Sequence, residues 1–378
     1  MENGGALLSI QNSQMNTKMN QIKLFDPVVS GEEESSIKKI FKNGFWASGA
    51  GIGRVNDFEK KFRAYVNSKD CIAVNSGTAA LHLALSVLDI KNKEVILPSL
   101  SFVSTAHAVV YNGGKPIFAE VDPQTLCIDP SDIKKKITKN TKAILPVHFA
   151  GMPANLSQLK HIKEEFDLAL IEDAAHACGA KYAGKKIGSH GDMVCFSFHP
   201  VKNLAMPSGG LISVNRSDHR NLRKIFSSKR WCGITDRKDV SYDIKDLGWN
   251  FYMNEFSAAI GLIQLKKLDR LNSKRKKIAK RFHNEIHLEQ KIPYDKNCSY
   301  HFYWILLKNR DRFRKKMKSV GIETGIHYQP IHKFSMYDKH SNLPITEKIG
   351  NSIVALPTHP NLSDSDLDLI IDSVNKFS

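Results

Sequence analysis

The stretch Cys195–Gly210, CFSFHPVKNLAMPSGG, decides how the rest of the chain is interpreted. It begins like a buried strand and ends in Ser197, His199, Lys202 and the pair Gly209–Gly210. A lysine directly after a core strand is either solvated or takes part in chemistry, because a buried unpaired ammonium is costly. The neighbours that the fold brings to the end of this strand therefore determine which interpretation holds.

Length and composition indicate an ordinary globular protein. The chain has 378 residues, of which 42% are apolar and 25% charged, and this length predicts one large domain and one smaller domain. The net charge of +17 could attract nucleic acid, a membrane surface or an anionic substrate. The cations, however, lie in runs such as DIKKKITKNTK and LDRLNSKRKKIAKRFHNE, where apolar residues at helical spacing favour solvated helix faces. Zinc-finger spacing and aromatic RNA-binding motifs are absent from the sequence.

Cysteine usage and the amino terminus bear on the cellular compartment. The six cysteines form no Cys-x-x-Cys pair, which favours a reduced, cytoplasmic protein without disulfides or structural zinc. Residues 1–20 lack the basic start and apolar core of a secretion signal, and we expect them to form a flexible arm. The sequence contains no apolar run long enough to span a membrane, so we expect no membrane partner.

Seven short β-rich runs alternate with helical patterns between Cys71 and Val214. The runs are CIAV, EVILP, KPIFAEV, KAILPVHF, LALIED, MVCFSF and GLISV. This alternation predicts an α/β fold, with a mostly parallel sheet and helices on both faces. A long helical pattern over 254–288 then leads to a smaller C-terminal α+β segment. We place the large domain at 21–260, and the linking helix with the small domain at 261–378.

The stretch AVNSGTAALHLAL contains a turn, Ser76–Thr78, between a strand and a helix. Free backbone N–H groups and the positive end of the helix dipole suit a phosphate, and Gly77 allows close approach. The alternative is an ordinary helix N-cap, which serine and threonine often supply. Similarly, Asp173 ends the run LALIED and is either an N-cap or a partner for a cationic nitrogen.

These pieces together suggest pyridoxal phosphate as cofactor. That cofactor needs an amine for its aldehyde, an acid for its pyridine nitrogen, a phosphate cradle and a stacking face. In one parallel sheet, Asp173 and Lys202 would emerge at the same edge, and a desolvated lysine can form a Schiff base. Ser76–Thr78 would supply the cradle, with Ser197 as a further phosphate contact. Phe102, in LPSLSFVSTAHAV, offers the stacking ring.

Taken in order along the chain, the motifs resemble the DegT/DnrJ/EryC1/StrS family of sugar aminotransferases, which are fold-type-I, pyridoxal-phosphate-dependent enzymes. The resemblance covers nearly the whole chain, from FWASGAGIGRVNDFEKKF to GIHYQPIH. Between these ends lie PVHFAGMPANL, IEDAAHACGA, SFHPVKN and GWNFYMNEFSAAIGLIQLKKLD. So many motifs in the family's order make the resemblance specific.

The resemblance implies roles for individual residues. Lys202 would hold the cofactor covalently as a Schiff base and carry protons, and Asp173 would pair with the pyridine nitrogen. Phe102 would stack on the ring, and His176 would lie near the phenolic oxygen. The phosphate contacts would be Gly77, Thr78 and Ser197.

The resemblance also implies a homodimer with shared active sites. Asn250 would reach the phosphate of the cofactor in the neighbouring subunit, and His327 and Tyr328 would lie near the substrate. The expected reaction moves an amino group, by the resemblance from L-glutamate, to a keto sugar linked to a nucleoside diphosphate. The amino sugar would serve the synthesis of a cell-surface polysaccharide or secondary metabolite.

The sequence departs from the family pattern at three places. His176 stands where the family often has glutamine, Pro207–Gly210 where it often has Gly-Glu-Gly-Gly, and Tyr252 where it commonly has arginine. The last two bear on substrate and donor recognition more than on cofactor chemistry. A dehydratase branch has histidine in place of the lysine, so Lys202 favours transamination.

Two other functions stay open at this point. One keeps the cofactor but changes the acceptor to a cyclitol ketone or an aminohydroxybenzoate precursor. The other is a nucleic-acid-binding regulator that uses the basic surface, although the sequence contains no reading module for it. His199 is undecided between a cofactor contact and a structural histidine. The remaining histidines show no metal-ligand spacing, and the sequence does not specify the sugar, the nucleotide or the aminated carbon.

Overall fold

The structure is a computed structural model that describes residues 21–337 and 341–378. The predicted flexible arm, residues 1–20, lies outside the described residues. The α-helices are Gly31–Asn43, Arg54–Val66, Gly77–Leu85, Ser104–Tyr111, Pro130–Lys136, Leu156–Glu165, His219–Lys229, Glu255–Glu285, Arg310–Ser319, Pro344–Ser352 and Asp364–Phe377. The strands, numbered β1 to β13 in chain order, are Asp70–Val74, Glu94–Pro98, Lys115–Ala119, Thr141–Ile144, Ala169–Asp173, Lys181–Tyr182, Lys185–Lys186, Met193–Ser197, Gly210–Val214, Ile234–Lys238, Ser241–Ile244, Tyr303–Leu306 and Ile353–Leu356.

The seven predicted β-rich runs form one seven-stranded sheet in the order β1-β9-β8-β5-β4-β2-β3. Strand β9 is antiparallel to both of its neighbours, whereas the other neighbouring pairs are parallel. Alternate residues of β1 enter different apolar clusters: Cys71 and Ala73 belong to one, Ile72 and Val74 to the other. Because successive strand residues point to opposite faces, the sheet is packed on both sides. The prediction of a mostly parallel α/β fold is confirmed.

A buried ion-pair cluster fixes the carboxyl end of β1, where the chain enters the turn at residues 75–78. Glu59 accepts hydrogen bonds from the backbone N–H of Ala73 at 2.9 Å and from Arg230 at 2.6 Å. Arg230 also donates to the carbonyl of Ala73, and Arg223 pairs with the second oxygen of Glu59 at 2.7 Å. Since Glu59 and Arg230 are almost fully buried, each charge depends on its partner for solvation. This ion-pair cluster holds the strand end that precedes the turn at residues 75–78.

The long predicted helix spans Glu255–Glu285 and ends slightly before the predicted limit at residue 288. The side chain of Asn254 caps it by accepting from the N–H of Ser257 at 2.8 Å. Beyond it, β12 and β13 pair antiparallel, with three further helices around them. Ile22 bridges to Ile322 in this later part of the chain. The division into domains at residue 260 stays a prediction.

Two further observations concern membrane-spanning helices and the cysteines. No helix within residues 21–337 and 341–378 is long and apolar enough to cross a bilayer. All six cysteines are free thiols, and five of them are buried. Burial raises the pKa of thiols such as Cys71, to about 12, so these side chains are inert members of the core.

Candidate active site

The carboxyl ends of the central strands open into a cavity of about 330 Å³. Strands β5 and β8 are parallel neighbours with Asp173 beside Cys195, so the ends of both strands reach the same edge of the sheet. Seven of the eight predicted cofactor contacts and both predicted substrate contacts line the cavity. They are Gly77, Thr78, Phe102, Asp173, His176, Ser197, Lys202, His327 and Tyr328.

Asn250 is the predicted contact that does not line this cavity. It is exposed, bridges to Trp231, and its carbonyl accepts from the Asn75 side chain at 3.2 Å. Its predicted role was in the neighbouring subunit's site, which a single chain does not contain, so that role stays a prediction.

The turn after β1 forms a tight backbone cradle. The Ser76 hydroxyl accepts from the N–H of Ala79 at 3.1 Å and thereby caps the helix Gly77–Leu85. The N-cap interpretation of this turn is confirmed. The phosphate cradle stays a prediction that is compatible with it, since a capped helix N-terminus also attracts an anion. A Cβ on Gly77 would lie 2.7 Å from the Ser197 Cβ, so a side chain there would fill the cradle. Glycine at this position keeps the two strand ends close together.

The run Pro207–Gly210, which departs from the family pattern, closes the same cradle from the other side. A Cβ on Gly210 would lie 2.2 Å from the Ser76 carbonyl oxygen, which explains the glycine. The Ser208 hydroxyl donates to the carbonyl oxygen of Asn75. This departure thus adds a bond that ties the segment before β9 to the turn after β1.

Asp173 presents a buried carboxylate to the cavity. It accepts a hydrogen bond from the Thr105 hydroxyl at 2.9 Å and another from the N–H of Ala175 at 3.1 Å. Burial raises the pKa of Asp173, and these two donors, with the charge of Lys202, act in the opposite direction. The carboxyl group of Asp173 therefore lies in a low-dielectric site, where its interaction with a cationic partner is strong.

Its neighbour Glu172 points to the other face of the sheet and holds the fold. It pairs with His148, whose Nε2 lies 2.8 Å from the Glu172 Oε2, and it also accepts from the N–H of Gly191. His148 Nδ1 accepts from the N–H of Ala154 at 3.0 Å, so the proton of the neutral imidazole lies on Nε2 and is donated to Glu172. Of the adjacent acids at the end of β5, only Asp173 lines the cavity.

Lys202 lies in the loop after β8, where its backbone N–H donates to the carbonyl of His199 at 2.8 Å. Burial lowers the pKa of its amine from 10.5 to about 8, although the charge of Asp173 acts to raise it. About a tenth of the amine is therefore unprotonated at pH 7, far more than for an ordinary lysine, and the neutral form is the one that a nucleophile or a base requires. The structure favours the chemical interpretation of this lysine over the solvated one.

Phenylalanine, tyrosine and histidine side chains form the remaining wall of the cavity. The exposed ring of Phe102 lies 6.0 Å from the ring of Tyr328, and the Tyr328 hydroxyl is 3.1 Å from His176 Nε2. Burial lowers the pKa of His176 well below its usual value, so its imidazole is neutral. Its buried Nδ1 has no hydrogen-bond partner in the part of the chain that the structure describes. His199, which the sequence left undecided, also lines the cavity.

Sequence reasoning missed two polar residues that hold the predicted ones. Thr105 donates to Asp173, and His301 Nε2 lies 3.5 Å from Lys202 Nζ. Thr105 stands in the quoted stretch LPSLSFVSTAHAV, in the first turn of the helix Ser104–Tyr111 and three residues after Phe102. His301 begins the apolar run HFYWILL and is its one charged or strongly polar side chain, which was the available signal.

The arrangement fits pyridoxal phosphate on grounds that the structure itself provides. The glycine cradle accepts no side chain, the Asp173 carboxylate is desolvated, the Lys202 amine has a lowered pKa, and His176 retains an unpaired nitrogen. In the described residues, 21–337 and 341–378, no group of three or more His, Cys, Asp or Glu side chains is arranged to hold a metal ion. The Lys202 amine and the Asp173 carboxyl group equip the cavity for acid–base and covalent chemistry.

Comparison with known proteins identifies the family that the sequence resembles. Residues 27–375 match the model of the DegT/DnrJ/EryC1/StrS aminotransferase family. The GDP-perosamine synthase of Escherichia coli O157:H7 is 32% identical over 367 residues, with 95% of this chain and 99% of that protein covered. The spore coat polysaccharide biosynthesis protein SpsC of Bacillus subtilis is 32% identical over 374 residues, covering 92% of this chain and 95% of that protein.

Comparison with a solved structure shows that the fold is also similar. Helicobacter pylori PseC, an aminotransferase involved in the biosynthesis of pseudoaminic acid, superposes with a TM-score of 0.89. It is 26% identical in sequence, and the match covers 94% of this chain and 99% of PseC. The likeness therefore extends over both the sheet and the C-terminal part.

Proposed function

We propose that this chain, which belongs to the DegT/DnrJ/EryC1/StrS aminotransferase family, moves an amino group from L-glutamate to a keto sugar linked to a nucleoside diphosphate. The family and its relatives establish a sugar aminotransferase. The nucleotide is supported by the name of the E. coli relative, GDP-perosamine synthase, and the amino donor by the family resemblance. The amino sugar serves the synthesis of a cell-surface polysaccharide or secondary metabolite, as the name of the B. subtilis relative suggests.

The observation that carries this proposal is that Lys202 and Asp173 line the same cavity. A lysine amine with its pKa lowered to about 8 shares the cavity with a buried carboxylate at the ends of neighbouring strands. Pyridoxal phosphate, the predicted cofactor, is confirmed by membership of this family, whose enzymes use it. In our proposal Lys202 holds it covalently, Asp173 pairs with its pyridine nitrogen and Phe102 covers its ring. Its phosphate contacts are Gly77, Thr78 and Ser197.

When bound, pyridoxal phosphate supplies an aldehyde that links to amines and a ring that accepts the electron pair released at the neighbouring carbon. Within the cavity, the Nζ of Lys202 takes the proton from the α-carbon of the amino donor and returns a proton in the second half-reaction. Asp173 keeps its negative charge beside a cationic nitrogen and so favours the protonated ring. His327 and Tyr328 orient the substrate, and the wall that they form limits access of water.

The lowered pKa of Lys202 predicts a specific pH dependence for cofactor capture. The neutral amine is the reactive form, so the rate of capture by the apoenzyme should rise about tenfold per pH unit below the pKa and level off above about 8. Stopped-flow measurement of the visible absorption at varied pH checks this. A rate that continues to rise towards the ordinary lysine pKa of 10.5 would contradict the assignment of a desolvated amine.

A homodimer with shared sites forms part of the proposal. Asn250 lies outside the cavity of its own chain, and Leu247 beside it is 80% exposed. Elsewhere the rings of Phe41, Trp46 and Phe256 form a cluster with centroids 5.1–5.9 Å apart, although Phe41 and Trp46 are more than half exposed. Exposed aromatic clusters of this kind favour a protein partner, and a second copy would bring Asn250 to the neighbouring cavity.

Subunit mixing tests the shared site. Lys202→Ala and Asn250→Ala chains should each be weak or inactive, but a mixed dimer combines Lys202 of one chain with Asn250 of the other in one intact site. Random exchange of subunits should therefore restore up to about a quarter of wild-type activity. Assays at limiting cofactor, with mixed dimers verified by differential tagging, provide the measurement. If verified mixed dimers regain no activity, Asn250 does not act across the interface.

The complete reaction tests the proposed function itself. The purified chain with pyridoxal phosphate should absorb in the visible range, lose that band with L-glutamate, and regain it with a nucleoside-diphosphate keto sugar. One 2-oxoglutarate and one amino sugar should appear for each turnover, measured by mass spectrometry. An inosose-type ketone serves as the control acceptor. If only the cyclitol ketone restored the band, the acceptor would be a cyclitol ketone and not a sugar nucleotide.

A further inference from the structure

His301 contacts Lys202, with its Nε2 3.5 Å from the Lys202 Nζ, but does not line the cavity. It is 1% exposed, and its backbone N–H donates to the carbonyl of Ala150 at 2.8 Å, which fixes the main chain just before β12. The ring of Phe25 stacks on it at 4.9 Å and that of His176 at 4.7 Å. These two stacked rings hold the imidazole in place beside Lys202.

A chain of amide side chains determines which nitrogen of His301 carries the proton. Asn272 donates to the Cys178 carbonyl at 2.9 Å, so its amide oxygen faces Asn203. Asn203 uses both amide hydrogens, one on that oxygen and one on the Ser299 carbonyl, each at 2.9 Å. Its own oxygen, 3.3 Å from His301 Nδ1, can therefore only accept.

The tautomer follows from this arrangement. Nδ1 of His301 must be the N–H that donates to Asn203, and Nε2 of the neutral ring is left with a free electron pair. That bare nitrogen lies 3.5 Å from the Lys202 Nζ. Burial lowers the pKa of His301 well below its usual value, so the ring accepts a hydrogen bond but does not keep a proton of its own at Nε2.

We propose that His301 is a positioning residue for Lys202, accepting a hydrogen bond from its amine through an Nε2 whose tautomer is set by Asn203 and Asn272. The inference rests on the role of Lys202 in the proposed function. One N–H of the amine is thereby directed away from the cavity, and the remaining positions of the nitrogen, including the electron pair of the neutral form, face the cavity. The same bond stabilises the ammonium form.

Other titratable groups also face Lys202 and must be separated from this effect. Asp173 is the one whose charge raises the pKa of Lys202. Burial lowers the pKa of His176, His199 and His327 alike, so these rings are neutral around the amine near pH 8. A change confined to His301 removes none of these side chains.

Two amide variants test the two hydrogen bonds of His301 separately, because each keeps one bond and removes the other. In His301→Asn the amide reaches the position of Nδ1, so the contact with Asn203 is kept and the acceptor beside Lys202 is lost. In His301→Gln the amide oxygen reaches the position of Nε2, so the acceptor is kept and the contact with Asn203 is lost. Both variants remove the stacked ring and one buried hydrogen bond, and their melting temperatures should fall by similar amounts.

The measurement uses the apoenzyme and needs neither cofactor nor substrate. Trace acetylation with acetic anhydride over a pH series, followed by peptide mass spectrometry, gives the apparent pKa and limiting reactivity of the Lys202 amine, with exposed lysines as internal standards. His301→Asn should lower that pKa by about one unit, because a bond to the charged form is lost. His301→Gln should stay close to the wild type.

The outcomes separate this inference from the proposed function. Equal pKa values for Lys202 in the wild type and both variants would overturn it, and so would equal shifts in both variants, since those indicate packing alone. Failure of the role that the proposed function gives to Lys202 appears elsewhere: borohydride reduction of the wild-type holoenzyme would then attach the cofactor to another residue. The acetylation result remains interpretable in that case.

Discussion

Replacing Lys202 with alanine is expected to lower the rate of amino transfer by about 10⁴-fold and to remove the visible absorption band of the bound cofactor. The loss is large because one amine performs two tasks, covalent attachment and proton transfer. Burial, which lowers its pKa to about 8, supplies the neutral form that both tasks require. Steady-state kinetics and the absorption spectrum of the variant provide the measurement.

Two further substitutions make this test specific. Lys202→Arg keeps a cation in the cavity but cannot act as a nucleophile, since the guanidinium does not lose its proton, and it should be as inactive as the alanine variant. Lys186→Ala is the matched control: burial lowers the pKa of this lysine also, but it pairs with Asp269 and does not line the cavity. Activity retained in Lys202→Arg, or lost in Lys186→Ala, would contradict the assignment.

The sheet could be predicted because its strands are short apolar runs whose pattern does not depend on the partner. MVCFSF and LALIED have no polar alternation, as is typical of strands covered on both faces, and they are parallel neighbours in the sheet. Once that adjacency is assumed, Asp173 and Lys202 must emerge together. The position of these groups in one cavity thus follows from strand order and from general rules for α/β sheets.

The polar groups behind the cavity could not be predicted in this way. The contact of Thr105 with Asp173 spans 68 positions, and that of His301 with Lys202 spans 99. Such contacts depend on how helices and loops pack on the sheet, which no local pattern encodes. Glu172 illustrates the same limit, because only its buried partner His148 distinguishes it from the adjacent Asp173. Asn250 adds a second kind of limit, since its predicted partner belongs to another chain.

The adjacent acids Glu172 and Asp173 provide the second decisive prediction, because one lines the cavity and the other supports the fold. Asp173→Asn should lower the rate of amino transfer by about 10²–10³-fold, since the charge beside a cationic nitrogen is lost from a desolvated site. The fold should tolerate this change. The Thr105 hydroxyl can turn its proton towards the Phe102 carbonyl, 3.0 Å away, or the Ser101 hydroxyl, 2.8 Å away, and then accept from the new amide.

Glu172→Gln is the matched control, which should lower the stability of the fold and leave the rate of amino transfer unchanged. Both oxygens of Glu172 accept from donors that cannot turn away, the Nε2–H of His148 and the backbone N–H of Gly191, so whichever donor faces the glutamine NH2 group loses its acceptor. The free energy of unfolding should fall by about 1–3 kcal/mol, while activity per folded molecule stays close to the wild type. Urea unfolding and steady-state kinetics on the same samples measure both quantities. If Glu172→Gln lost activity at full stability while Asp173→Asn kept it, the carboxylate of the active site would be Glu172, and the cavity at the end of β5 would need another role.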